Sequence, residues 1–234
     1  MKKIVCKDYE EMSAMAADVI AFQIKSKPDS VIGFATGSTP VGAYKRLVEM
    51  DLDFSRITSF NLDEYYPLER DNPQSYYRFM HDNLFGLVNI PDGNINIPDG
   101  ECENPIAECE DYDKKLIKIG GTDLQILGIG NNGHIAFIEP NDDLPLATGV
   151  FELDDDTIAA NSRFFENAGD VPKKALSMGL RGIFNSRHIL LLISGKAKAN
   201  AVKRLLDETV STQAPASLLK LHPKVTVIMT EDTQ

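Results

Sequence analysis

Four short stretches of this 234-residue chain carry side chains that could do chemistry. In Ala35-Thr36-Gly37-Ser38-Thr39-Pro40, three hydroxyls and a glycine precede a proline. Proline favours the first position of a helix, and Thr39 stands where an N-cap residue would. Gly37 lets a ligand approach the backbone. Free N–H groups at a helix start attract negative charge, so Thr36, Gly37, Ser38 and Thr39 outline an anion site. An ordinary capped turn would carry the same residues. In Asn61-Leu62-Asp63-Glu64-Tyr65, two carboxylates end an apolar strand. A carboxylate withdrawn from water there can serve as a general base. A solvated acidic turn is the plainer reading, and Glu64 is expected to be the bland member of the pair.

The third stretch, Gly128-Ile129-Gly130-Asn131-Asn132-Gly133-His134-Ile135-Ala136-Phe137-Ile138-Glu139-Pro140, contains G-x-G-x-x-G after a predicted strand. A dinucleotide fingerprint needs a helix opening inside that motif. Pro140 stands seven residues after the last glycine, and proline in a helix interior costs about 3 kcal/mol. A glycine-lined loop holding His134 and Glu139 is the better reading. Neutral imidazole can exchange a proton near neutral pH, and a carboxylate can orient it. A core histidine bonded to backbone is the alternative. The fourth stretch, Ser194-Gly195-Lys196-Ala197-Lys198, is a strand-to-helix junction with two cations, and Arg163 is a further cation beside Phe164 and Phe165. Arginine suits bidentate phosphate contact and lysine suits point-charge contact. Surface solvation explains most such cations equally well.

The elements that must position these stretches alternate in kind. Apolar, β-rich runs cover 3–6, 31–35, 57–62, 124–127, 189–193 and 225–229. Helical patterns lie between them. Met12, Met15, Ala16, Val19 and Ile20 recur at helical spacing, with Asp8 as N-cap and Glu11 three residues on. Helices are also expected over 40–50, 105–119 and 196–206. The alternation predicts an α/β fold with a largely parallel sheet covered on both faces. The stretch 89–104 reads as a surface connection, and a second loop-like region follows Pro140. The segments 36–40, 63–66, 128–140 and 194–198 each follow a predicted strand. Ligands of open parallel sheets bind outside the carboxyl ends of the strands, so the four belong together.

Bulk properties narrow the partners. Hydrophobic residues make up 43% and charged residues 25%, values of a globular chain. A net charge of −11 disfavours nucleic acid and anionic lipid but permits a small anion at a local positive site. Three cysteines without a C-x-x-C pair fit a reducing, cytoplasmic setting. The apolar start of the chain is too short for a signal peptide, and the run 189–193 is too short to span a bilayer. The four histidines include no short-spaced pair, Asp154-Asp155-Asp156 lacks the spacing of a calcium loop, and no Walker-type lysine occurs, so no metal is expected.

Taken together, the four stretches, with Gln74-Ser75-Tyr76-Tyr77, Ala160-Asn161-Ser162-Arg163-Phe164-Phe165 and Pro215-Ala216-Ser217, resemble the glucosamine-6-phosphate deaminase family. The likeness keeps its order from the first helix to the last strand. It implies a single-domain Rossmann-like α/β fold over 1–234, with no metal, no organic cofactor and a phosphorylated amino-sugar substrate. It implies that Asp63 moves a proton between C2 and C1. His134 would open the pyranose ring, with Glu139 orienting or charging it and Asn132 grouped with them as catalytic. Arg163 and Lys198 would hold the phosphate with Thr36, Gly37, Ser38 and Thr39.

The chain also departs from the family pattern. Ile138 stands where many members have Asn, Asn132 where some have Asp, and Leu146-Ala147-Thr148 where an Arg is often found. These changes are expected to leave His134 with fewer polar partners. The chain ends soon after its last predicted strand, and is expected to lack the C-terminal extension of larger, allosterically controlled members. A monomer or small homo-oligomer is expected. Three other functions stay open: a galactosamine-6-phosphate deaminase/isomerase, a 6-phosphogluconolactonase, and a non-catalytic sugar-phosphate sensor domain. Asp63-Glu64 and the continuation Ile135 to Pro140 fit the deaminase better than the lactonase. Retention of both Asp63 and His134 favours an enzyme over a sensor.

Overall fold

Local capping signals fix the first and fourth helices of the computed structural model, which describes residues 1–153, 158 and 171–233. Asp8 is extended (φ −153°, ψ 176°) and its side chain accepts from the Glu11 N–H at 2.9 Å, so α1 runs Tyr9–Ser26. Glu11 in turn accepts from the Lys7 N–H at 2.7 Å, one residue outside the usual reciprocal capping box. The buried stripe Met12, Ala16, Ala17, Ile20, Ile24 follows the predicted spacing. Further along, Asn104 accepts from the Ala107 N–H at 3.2 Å, Pro105 opens α4 (Pro105–Ile119), and Gly120 closes it in the left-handed region at φ 89°.

Seven strands form one parallel sheet. They are β1 (Lys2–Cys6), β2 (Val31–Phe34), β3 (Thr58–Asn61), β5 (Ile95–Asn96), β6 (Leu124–Leu127), β9 (Ile189–Ile193) and β10 (Val225–Thr230). Their order across the sheet is β1-β10-β9-β6-β2-β3-β5. Every residue of β2, β6, β9 and β10 is buried, as strands covered on both faces require. This is a Rossmann-like α/β architecture.

The order of the strands places the site. After β2 the chain moves through α2 (Val41–Glu49) to β3 and β5 on one side. β6 lies against the other side of β2 and leads on towards β9. The connections from β2 and β6 therefore part in opposite directions, which opens a crevice at their carboxyl ends. The four candidate stretches follow β9, β6, β2 and β3, four adjacent central strands.

One element differs from expectation. Residues 63–66, where an acidic turn after a strand is the plainer expectation, form β4 (Asp63–Tyr66), in a second sheet ordered β4-β8-β7 with β8 (Lys174–Ser177) and β7 (Gly149–Glu152), all antiparallel. The chain bends at Leu62, whose carbonyl accepts from the Met178 N–H at 2.7 Å, and passes from one sheet into the other. The partner of Asp63 is Ser177, too distant in sequence to leave a local signal. Among the described residues, no helix is long and apolar enough to cross a membrane.

Candidate active site

The loop after β2 starts from a buried anchor. Tyr44 of α2 donates its hydroxyl to the Ala35 carbonyl at 2.6 Å and accepts from the Ala35 N–H at 3.2 Å. Burial holds that phenol well above its usual range, so it stays protonated and keeps donating. Gly37 lies at φ +92°, and a Cβ there would meet nothing within 4 Å. Its requirement is the backbone conformation, which L side chains adopt at a cost. Thr36 and Thr39 are half-buried, while Gly37 and Ser38 are exposed.

Thr39 does not cap α2. Pro40 occupies the cap position (φ −81°, ψ −11°) with no side-chain hydrogen bond, and the helix begins at Val41. Tyr9 of α1 supplies what Thr39 was expected to give. Its hydroxyl accepts from the Gly42 N–H at 2.8 Å and donates to the Ser38 carbonyl at 2.9 Å. Gly42 makes the close approach possible, because a Cβ there would stand 2.3 Å from the Ser13 Oγ. Nothing near residues 36–40 in the sequence points to Tyr9.

A pocket of about 400 Å³ opens at this loop, lined by Tyr9, Ser38, Thr39, Val41 and Ser194. Ser194 begins the stretch after β9, so the first and fourth stretches meet. Gly195 takes φ +97°, and a 3₁₀ turn over Lys196–Lys198 replaces the first turn of the expected helix, which continues as Ala199–Leu206. Lys198 is half-buried, whereas Lys196 is exposed. Arg163 lies outside the described residues.

Asp63 and Glu64 do not form a solvated turn. Asp63 is 7% exposed and Glu64 2%. Burial and the neighbouring Glu64 charge push the Asp63 carboxyl up to about 8. Burial also raises Glu64, to about 7, but backbone N–H groups of Tyr76, Tyr77 and Tyr65 oppose that rise. Glu64 is therefore not the bland member of the pair. Asp63 can take up and release a proton near neutral pH, as a general base must.

His134 sits in a tight, glycine-dependent loop. Its Nδ1 is 3.0 Å from the Glu139 Oε2, and Asn132 donates its Nδ2 to the same oxygen at 2.7 Å. Asn132 Oδ1 accepts from the His134 N–H at 3.1 Å. Ile138 is fully buried in the core, so its side chain competes for no polar partner. His134 keeps polar partners beside Ile138, because Asn132 bridges the histidine backbone and Glu139. Thr148, in the altered segment, donates its N–H to Asp113 of α4 at 3.1 Å. Arg204, which sequence reasoning passed over, donates to the Asn132 carbonyl at 3.4 Å from the helix Ala199–Leu206.

The imidazole lies directly over Gly130, where a Cβ would stand 2.3 Å from the ring. Gly130→Ala is therefore expected to displace the ring from Glu139. Crowding of this kind costs about 1–3 kcal/mol. Activity should fall more than the unfolding midpoint does, and unchanged activity would show that ring placement is unimportant.

The second and third stretches also meet. Ser177 is in register with Asp63, and its hydroxyl accepts from the Phe137 N–H at 3.1 Å. Tyr65, Tyr76 and Phe137 pack as one aromatic group, with Tyr65 and Tyr76 centroids 4.7 Å apart.

This geometry has close parallels. Residues 7–228 match the family described as glucosamine-6-phosphate isomerases/6-phosphogluconolactonase. The chain belongs to this family. A glucosamine-6-phosphate deaminase of Halothermothrix orenii is 50% identical over 236 aligned positions, covering 99% of this chain and 98% of that protein. The solved structure of a monomeric glucosamine-6-phosphate deaminase superposes with a TM-score of 0.97 at 45% identity, covering 100% of this chain and 98% of the other. A 6-phosphogluconolactonase structure from Thermotoga maritima gives a TM-score of 0.77 at 25% identity, with 98% of each chain covered. The family match spans all four stretches and Arg163.

Proposed function

We propose that this chain converts glucosamine 6-phosphate and water into fructose 6-phosphate and ammonia. The observation that carries the reading is a buried Asp63, poised to exchange a proton near neutral pH, joined through Ser177 to the loop that holds the His134–Glu139 pair. Full-length identity of 45–50% to deaminases supports the same reaction.

His134 moves the proton that opens the ring, and Glu139 and Asn132 hold its orientation. Asp63 takes the C2 proton of the open aldehyde, giving an enolamine. Returning the proton to C1 leaves an imine at C2. Water adds there and ammonia departs, so the ketone remains. Lys198 and Arg163 hold the phosphate with Ser38, Thr39, Thr36 and Gly37. Anchoring the far end of the substrate fixes C1 and C2 against the proton carriers. No step needs a cofactor. The assembly proposed is a monomer, the state named for the solved deaminase.

Ammonia release from glucosamine 6-phosphate, from galactosamine 6-phosphate and from free glucosamine, with lactone hydrolysis as control, tests this. Turnover is expected to be highest with glucosamine 6-phosphate and very low with the free sugar. A charge-assisted hydrogen bond is worth about 1.5–3 kcal/mol, so Lys198→Ala should raise KM about tenfold or more. Lactone hydrolysis faster than ammonia release would select the lactonase instead.

A further inference from the structure

We infer that Glu64 is a positioning residue for this reaction: its carboxylate fastens the start of α3 to the strand that carries Asp63 and stands as the neighbouring charge to that base. The inference rests on the reading of Asp63 as the base.

The fastening is direct. α3 spans Tyr76–Asn83, with Ser75 Oγ accepting from the Arg78 N–H at 3.0 Å. That leaves the first N–H groups of the helix without partners inside it. Glu64 Oε1 accepts from Tyr76 N–H at 2.8 Å and from Tyr65 N–H at 2.9 Å, and Oε2 accepts from Tyr77 N–H at 2.8 Å. A carboxylate can accept with both oxygens in this way. A protonated acid or an amide would turn a donor towards one of these N–H groups. The helix dipole also favours negative charge at this end.

The stem of Glu64 is enclosed as well. A Cβ on Gly100 would stand 2.6 Å from the Tyr65 carbonyl and 3.2 Å from the Glu64 Cγ, so the connection before α4 closes over β4. Arg70, in the turn before α3, lies 4.6 Å over the Tyr77 ring and its charge favours the ionised form of Glu64. Among the described residues, the charge of the pair also raises the phenols of Tyr65 on the same strand and Tyr76 at the start of α3, and that of Asp63 raises Tyr112 from α4. β8 presents Leu176 and Ser177 in register with Glu64 and Asp63, neither of them charged. Glu64 is thus the member of the pair whose ionised form is supported by three backbone donors. The Glu64 charge in turn raises the proton affinity of Asp63.

The test compares the native chain with Glu64→Gln, Glu64→Asp and Asp63→Asn. It reads the pH dependence of kcat/KM and the carboxyl-carbon NMR titrations of Asp63 and Glu64. Glu64→Gln removes the charge, so the acid limb should move to lower pH by about one unit or more. kcat should drop about tenfold with KM little changed, as expected for a shifted proton carrier. Glu64→Asp keeps the charge but draws it back from α3, so its limb should stay near the native position while kcat falls. An unmoved limb and an unmoved Asp63 titration in Glu64→Gln would overturn the inference alone. If Glu64→Gln does not fold, the titrations of the two carboxyl carbons in the native chain decide. Glu64 must ionise at lower pH than Asp63, and the reverse order, or two independent single-step titrations, overturns the inference. Full turnover by Asp63→Asn would overturn the base assignment together with the inference built on it.

Discussion

Asp63→Asn is expected to lower ammonia release by about 10²–10⁴-fold, the range lost when a general base is removed. Exchange of the C2 proton with solvent should disappear with it, while binding of the phosphorylated sugar persists. The same substitution should alter stability in a pH-dependent way. The native carboxyl is raised from the ordinary 3.8 to about 8 by burial and by Glu64. Below about pH 4 both the folded and unfolded chains carry the proton, and the variant should match the native protein. Between the two values the unfolded chain releases the proton and the folded chain keeps it, so native stability declines as pH rises and levels off above about 8. Asn cannot ionise, so the variant should be the more stable protein at pH 9, by on the order of a few kcal/mol. Chemical unfolding at acid and alkaline pH, beside a C2-exchange assay, measures both effects. A variant with native activity, or one whose only defect is failure to fold, would remove Asp63 from the mechanism.

His134→Gln should bring the second large loss, about 10²–10⁴-fold in turnover of the cyclic sugar. The imidazole is 23% exposed at its side chain, and it has a carboxylate partner at 3.0 Å. Gln can occupy similar space but cannot carry a proton between ring oxygen and solvent. The loss should fall on ring opening. A 6-phosphorylated amino-alditol has no ring to open, so it should bind the variant about as well as the native chain. One ionisation in the native kcat/KM profile should vanish in the variant. Near-normal turnover with an unchanged profile would leave His134 as a histidine of the loop framework.

The sequence by itself determined the parts whose signals are local. The Asp8 cap and apolar stripe of α1, the Asn104-Pro105 start and Gly120 end of α4, and the continuous apolar run of β9 each lie within a few residues of the feature they specify. Helical period, capping chemistry and strand hydrophobicity act over that range, so they can be read from the chain. The glycine-rich loop and the Asp63-Glu64 pair were visible for the same reason.

Tertiary structure decided the rest. The cap of α2 comes from Tyr9, 33 residues before Gly42, and the hydroxyl that ties the histidine loop to the Asp63 sheet comes from Ser177, 40 residues after Phe137. Glu64 reads as a surface acid until its three backbone donors and its burial are known. Ile138 looks like a lost polar partner until the loop turns its side chain into the core and leaves Glu139 to the histidine. Residue type and spacing name the groups able to do chemistry. Their proton affinities and partners depend on burial and on side chains from distant segments, which exist only once the two sheets have packed together.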